Sequence, residues 1–308
     1  MLARNYMLYV EKESVYKTDP TPTAAGAIEA WDVEITPNRV VTERNQGSGV
    51  AGTKAAFVDS DYVTLKFKTW LAGNGTAAEA TQPIVGKLFD ACGLVGAFTS
   101  FWTHTFSATA QSSATAWYYV DGIKHVINGL RGTFSLEMGA GNLPYLEWNM
   151  IGYYTTETAV AMLTATSWQS NPLVVASEDF ELGSGTNIAG IDKFTLKQNG
   201  LIYLKDINNA QGFGKSFISD LDIEGTFNPE LTTALDTQFE GATVASTTYA
   251  SHIVHGTGTG EVFTFTMPAL QIMDWKKTDS NNIIRADCNF KLRNAVDGSA
   301  DALSIKIA

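Results

Sequence analysis

Residues 116–154 carry the most constraining pattern in the sequence, because polar and apolar residues alternate through most of the segment. A period of two is typical of β-strands, whose successive side chains point to opposite faces of a sheet. Asp121-Gly122 separates the first two alternating runs, and this dipeptide favours a tight hairpin because both central residues need a positive φ. A second turn is predicted at residues 139–142. The segment therefore predicts a three-stranded β-meander with inward positions at Leu130, Gly132, Phe134, Leu136, Met138, Leu146, Trp148 and Met150.

Most of the remaining chain is also predicted to form strands, with one helix predicted in each half. The first helix lies in residues 81–93, where Pro83 suits the first turn and Gly93 the position after the last turn. The second lies in residues 228–241, with Asn228 as N-cap, Pro229 as the first helical residue and Gly241 at the end. The predicted fold class is all-β with minor helix.

Both halves follow the order strand, strand, helix, strands, which indicates an internal duplication. We expect an N-terminal arm (1–27), a first β-sandwich domain (28–156), a connecting segment (157–190) and a second β-sandwich domain (191–308). Each domain is expected to carry one flanking helix. Residues 44–60 and 205–214 are predicted as long hairpin tips.

Composition restricts the function classes open to the chain. The net charge of −11 argues against DNA binding through a basic patch, which depends on Lys and Arg displacing counterions from phosphates. Charged residues make up only 17% of the chain, which favours a surface partly covered by copies of itself. Cys92 and Cys288 lie far apart and are expected to be reduced thiols. No apolar run approaches the ~18 residues of a membrane span, and no membrane association or classical secretion signal is expected.

The sequence lacks the short motifs that mark common active sites. It contains no phosphate-binding glycine loop, no nucleophile elbow and no HExxH zinc motif. His252 and His255 are three residues apart in a strand-rich region and so fall on opposite faces, which disfavours a shared metal ion. His104 and His125 are interpreted as strand-face or interface side chains. We therefore predict no catalytic residues, no cofactor and no metal site.

Acidic residues alternate along two predicted strands, and this pattern is the main candidate functional feature. Asp32 and Glu34 share a face of one strand, and Asp220, Asp222 and Glu224 share a face of another. One interpretation is an ordinary solvated sheet face. The other is the lining of a negatively charged channel, in which like charge keeps a phosphate backbone from adhering and lets it slide through.

At these and other positions the sequence resembles the major tail tube proteins of long-tailed, siphovirus-like bacteriophages. The likeness covers most of the chain, and it is weakest after Ala242. It rests on Glu11, Tyr16 and Asp19–Thr23 in the arm, on Leu88–Gly93, on Val120–Gly122 with Gly129–Leu136, on Gly141–Pro144 with Ile151–Tyr153, and on 194–200 and 225–230 in the second half.

The resemblance implies a virion protein, assembled in the host cytoplasm, whose subunits close into rings with a continuous β-barrel as the inner wall. Stacked rings then form a tube that conducts double-stranded DNA from capsid to host without binding it specifically. Six sandwich domains per ring would need only three two-domain chains, so homotrimeric, pseudo-sixfold rings are expected. The implied partners are other copies of the chain, the tape measure protein and other tail proteins.

Two alternatives remain open at this stage. A virion decoration or adhesion module would also contain β-sandwich domains, but its subunits would not stack head to tail. A sandwich-fold glycoside hydrolase would need a paired-carboxylate cleft.

Overall fold

The computed structural model describes residues 5–43, 56–76, 78, 81–155, 157–176, 178–183, 187–208, 212–280, 282–296 and 301–308. Within them the chain forms a connected network of seventeen strands and two α-helices. The helices are α1 (Ile84–Ala91) and α2 (Thr233–Ala245). The strands are β1 (Tyr6–Lys12), β2 (Ala27–Ile28), β3 (Ala30–Thr42), β4 (Phe57–Trp70), β5 (Leu94–Phe98), β6 (Trp102–Phe106), β7 (Ala114–Val120), β8 (Ile123–Gly139), β9 (Tyr145–Tyr154), β10 (Thr158–Ala159), β11 (Asp179–Leu182), β12 (Lys193–Lys205), β13 (Phe213–Phe227), β14 (Thr248–His255), β15 (Phe263–Ser280), β16 (Ile283–Arg293) and β17 (Ser304–Ile307).

The predicted meander is confirmed as β7, β8 and β9. Asp121 and Gly122 have φ values of 46° and 86°, as a two-residue hairpin turn requires. β8 pairs with β7 along its first half and with β9 along most of its length. Burial alternates along the second half of β8 and along β9, as the sequence pattern predicts.

The two halves of the chain pair their strands in the same order. In the first half the order is β3-β4-β9-β8-β7-β1, and in the second it is β12-β13-β16-β15-β14-β11. The helices occupy matching places, since α1 follows β4 and α2 follows β13 in the sequence. Strands β5 and β6 have no counterpart in the second half, where β14 follows α2 directly.

One hydrophobic core extends through both halves. Phe89 of α1 packs against Phe134 and Trp148, with ring centroids 5.1 and 5.4 Å away. Phe239 of α2 packs in the same way against Phe227 and Trp275. The protein is therefore all-β with minor helix, as predicted, and its sheet does not close into a barrel within one chain.

The N-terminal arm packs on its own chain from residue 5 onward. β1 pairs with β7 along its whole length, from Tyr6 opposite Val120 to Lys12 opposite Ala114. Farther along the arm, the Ser216 amide donates a hydrogen bond to the Tyr16 hydroxyl, and Lys17 Nζ donates one to the Phe213 carbonyl. The arm thus contacts both halves of the molecule.

The second predicted helix was placed too early in the sequence. The structure begins it after Thr232, whose side chain accepts a hydrogen bond from the Leu235 amide, and continues it to Ala245. Asn228 is not its N-cap, because its side-chain oxygen accepts from the amides of Asp192 and Lys193. The predicted tip at 44–60 is shorter, because Phe57–Ser60 belong to β4, and residues 44–55 lie outside the described part.

Candidate functional site

Eight strands form a continuous sheet through the molecule, in the order β3-β4-β9-β8-β12-β13-β16-β15, and we call it the long sheet. Every neighbouring pair in it is antiparallel. One row of directly opposed residues crosses six of its strands on the side away from the helices, and that side is called the polar face. The row consists of Lys68, Glu147, Ser135, Lys197, Glu224 and Lys291.

The next row along lies on the opposite side of the long sheet and is apolar. It contains Leu146, Leu136, Leu196, Gly225, Phe290 and Ile272, all of them in the buried core or packed within it. Both helices pack on this side. Because side chains alternate across a strand, a single sequence period produces one buried face and one solvated face.

The two halves join edge to edge between β8 and β12, and we call this contact the internal joint. It runs from Lys193 opposite Gly139 to Lys197 opposite Ser135. On the polar face Lys193 Nζ lies 3.0 Å from Glu137 Oε1. Burial raises the pKa of Glu137, but hydrogen bonds from Lys193 and Tyr145 and nearby lysine charges lower it further, so it lies below its ordinary value.

The long sheet ends in two edges that pair with no other strand among the described residues. One is the outer edge of β3, which forms a strand ladder only with β4, although the Ala30 carbonyl at its start accepts a hydrogen bond from the Tyr6 hydroxyl. The other is the second half of β15, where residues 274–280 pair with β16 alone, whereas the first half also pairs with β14 and β17. Unpaired edges of this length are templates for pairing with another chain.

All five predicted acidic residues lie on the polar face, and lysines accompany most of them. Asp32 lies 3.0 Å from Lys68, Asp222 3.2 Å from Lys291 and Glu224 3.6 Å from Lys197. Glu34 stands directly opposite Lys66 in the pairing of β3 with β4. Asp220 has no ion pair with any other described residue. The charge of these acidic residues is therefore largely shared with lysines. Their alternation is interrupted at Asp32, which lies in a bulge of β3 with a φ of 52°, and at Asp220, where the pairing of β13 with β12 is irregular.

Sequence analysis did not predict these lysine partners. Lys66 and Lys68 alternate on one face of β4 and could have indicated them, because β4 follows β3 and pairs with it as a hairpin. The partners of the acids on β13 could not be found in this way. Lys197 and Lys291 belong to different strands, and the pairing of β13 with β16 joins residues more than 60 positions apart.

Each of the four histidines lies beside a carboxylate or hydroxyl group of the same chain. His104 is fully buried against Asp90, and His125 donates to or accepts from the Tyr154 hydroxyl at 2.7 Å. His252 is partly exposed between Asp179 and Glu181, whereas His255 is buried against Glu178, which confirms that the two lie on opposite faces. The side chains of His252, Asp179 and Glu181 approach within 4.8 Å of one another, and two of the three are partly or fully exposed carboxylates.

None of the helices in the described ranges is long and apolar enough to cross a membrane. No curated protein matches the chain in sequence. A family model described as phage tail tube protein matches residues 3–302. Proteins of this family are structural components of the virion tail that assemble with themselves and with other tail proteins in the host cytoplasm, and they are not enzymes. The chain of 308 residues is matched almost from end to end, and it belongs to the phage tail tube protein family.

Proposed function

We propose that the chain is the major tail tube subunit and that its rings conduct double-stranded DNA from the capsid to the host cell. The observation that carries the proposal is the long sheet, which continues across both halves of the chain and ends in two unpaired edges. A sheet with such edges can continue from one copy to the next until it closes. Closure into a barrel removes the edges and leaves an aqueous lumen when the number of strands is high.

The proposed ring contains three copies, each contributing two tandem domains (28–156 and 191–308) joined by residues 157–190. The matching strand orders of the halves support this pseudo-sixfold arrangement. Three copies of eight strands give 24 strands. At a spacing of about 4.8 Å and a tilt of about 40°, the backbone of such a barrel measures about 48 Å across. Barrels of roughly 16–18 strands already enclose an aqueous channel.

The polar face is proposed to line the lumen, with Asp32, Glu34, Asp220, Asp222 and Glu224 as its acidic residues. The opposite face supports this orientation, because it is filled by core side chains and by both helices. Paired lysines moderate the negative charge at Asp32, Asp222 and Glu224. Because these lysines are paired with carboxylates, few unpaired cationic side chains would face the phosphate backbone. The DNA therefore passes without specific binding. The tape measure protein would occupy the same lumen during assembly.

Head-to-tail stacking of the rings is supported by the ends of the two long hairpins. Val41 and Phe57 near the end of β3–β4 are 58% and 62% exposed, and Ile207 near the end of β12–β13 is 98% exposed. Exposed apolar side chains clustered at hairpin ends are typical of surfaces that become covered by a partner. These ends are proposed to contact the adjacent ring.

Electron microscopy of the purified full chain tests the tube directly. Hollow tubes or stacked rings with threefold end views are the expected result, with growth seeded by the tail initiator complex where the subunit alone stays monomeric. Closed particles that never stack, with or without the initiator, would favour a decoration or adhesion module instead. A second test uses phage carrying Asp220→Lys subunits, which should eject DNA more slowly at low salt. Glu240→Lys on the outer face of α2 is the matched control and should eject at the wild-type rate.

A further inference from the structure

We infer that ring closure joins β3 of one copy to the second half of β15 of the next copy, in the manner of the internal joint. This inference rests on the proposed ring and names the surfaces that form it. The partner of each edge is thus a second copy of this chain.

The matching strand order identifies which edges are equivalent. β12 and β3 are each the first strand of a long hairpin, and β8 and β15 are each paired on one side by their hairpin partners β9 and β16. In the internal joint β12 uses its free edge to pair with the second half of β8. β3 has the same free edge, and the second half of β15 has the same vacant flank.

Strand direction permits the contact. The long sheet contains eight strands that alternate in direction, so its two end strands, β3 and β15, run in opposite directions. A second copy placed beside the first therefore presents its β3 antiparallel to β15, as β12 is to β8. The contact uses two different edges of the same chain, and heterologous contacts of this kind generate rings when the rotation closes.

Charge on the polar face is complementary across the proposed contact, with signs opposite to those of the internal joint. In the internal joint β12 contributes Lys193 and β8 contributes Glu137. At the free edges β3 contributes Asp32 and Glu34, whereas β15 contributes Lys276, with Asp274 two residues before it on the same face. The Lys276 side chain is 73% exposed and lies 3.8 Å from its nearest acidic neighbour within the chain, Asp287. Long side chains reach directly opposed and diagonal neighbours on an adjacent strand, so Lys276 can pair with Asp32 or Glu34 of the next copy.

The reversed signs also make the two joints selective. If β12 paired with β15, Lys193 and Lys197 would lie near Lys276. Like charges directly opposite each other on neighbouring strands are destabilising. An edge carrying Asp32 and Glu34 would likewise face Glu137 if β3 were offered to β8. At Lys276 and Glu137, each strand therefore favours its own partner.

A charge-exchange experiment tests the contact. Lys276→Glu and Glu34→Lys alone should each raise the concentration at which half of the full-length protein is in rings or tubes by about tenfold or more. The double variant Lys276→Glu/Glu34→Lys should recover assembly. Lys277→Glu is the matched control, because it reverses the neighbouring lysine (54% exposed), which pairs with Asp236 of α2 on the opposite side of β15, and it should assemble as the wild type does.

Assembly is measured by light scattering and electron microscopy, and the unfolding midpoint of each monomer confirms that it is folded. This contact would be overturned if the wild type forms tubes and the single variants assemble equally well. It would also be overturned if the double variant assembles as poorly as the single variants. Either result would leave the tail tube function standing. Failure of the wild type to form rings even with its initiator would instead overturn the proposed function, and this contact with it.

Discussion

His104 Nδ1 lies 3.0 Å from Oδ1 of Asp90, and neither side chain is exposed to solvent. Asp90 also accepts hydrogen bonds from Lys12 Nζ at 2.7 Å, from Gln82 Nε2 at 3.1 Å and from the Gly96 amide at 2.6 Å. One carboxylate at the end of α1 thus connects β1, the segment before α1, β5 and β6. A buried charge is tolerated when it is paired and hydrogen-bonded in this way.

Asp90→Asn should lower the free energy of unfolding by about 2–3 kcal/mol, because it removes the charge and leaves donors around it without an acceptor. Urea denaturation of the monomer measures the change. Asp236→Asn is the matched control, since Asp236 pairs with Lys277 at 2.8 Å on the surface and should contribute no more than about 1 kcal/mol. Equal losses for the two variants would contradict the structural role of Asp90.

The same carboxylate should make stability depend on acid pH. Burial raises the pKa of Asp90, but the hydrogen bonds and charges of His104 and Lys12 lower it by more, so it lies below its ordinary value of 3.8. A depressed pKa stabilises the fold above the unfolded-state value, and this contribution is lost as pH falls through the folded-state value. The stability difference between wild type and Asp90→Asn should therefore be constant near neutral pH and shrink below about pH 4. A difference that grows on acidification would contradict this assignment.

Glu13 holds the N-terminal arm against the meander. It is 6% exposed and accepts hydrogen bonds from the Gly129 amide at 2.6 Å, from Thr115 Oγ1 at 2.7 Å and from the Lys17 amide at 2.9 Å. Glu13→Gln turns one acceptor oxygen into a donor that faces other donors, and should cost about 2–3 kcal/mol in urea denaturation. The exposed Glu240→Gln should change stability by no more than about 0.5 kcal/mol. A near-neutral Glu13→Gln would mean that the arm is held mainly by the β1–β7 ladder.

Local sequence patterns predicted the local secondary structure well, but they could not predict contacts between residues far apart in the sequence. The alternation of β8 and β9 and the Asp121-Gly122 turn follow from neighbouring residues, and the structure has them as predicted. The pairing of Asp90 with His104 and the β8–β12 joint depend on tertiary placement, which no short window of sequence contains. The start of α2 was misplaced for the same reason, because Asn228 satisfies the amides at the start of β12 instead of capping the helix. Alternation identified the acidic residues of β3 and β13 as candidates, but it did not predict the ion pairs of Glu224 with β12 and of Asp222 with β16.

Phe239 should be the residue that anchors α2 to the sheet. Its ring is fully buried and contacts Phe227 and Trp275 at centroid distances of 6.1 and 5.9 Å. Phe239→Ala should cost about 3–5 kcal/mol, since it removes a large buried ring and leaves a cavity. Val244→Ala, at an 80% exposed position of the same helix, should stay within about 0.5 kcal/mol of the wild type. Thermal unfolding of both variants measures the contrast, and a small effect at Phe239 would show that the helix is not coupled to the core.

Gly241 and Gly225 offer a matched pair of glycine substitutions with opposite expected signs. Gly241 lies inside α2, not at its end, and a Cβ there would meet no atom within 4 Å. Gly241→Ala should therefore stabilise the protein by about 0.5–1 kcal/mol, because alanine loses less conformational freedom than glycine when a helix forms. Gly225 lies in β13, where a Cβ would clash with the Thr195 carbonyl oxygen and with the Phe290 ring. Gly225→Ala should destabilise the protein, since the long sheet and its core cannot both keep their positions around the added carbon. Urea denaturation of both variants decides the matter. A destabilising Gly241→Ala would mean that α2 ends near residue 241 in solution, as the sequence pattern alone predicts.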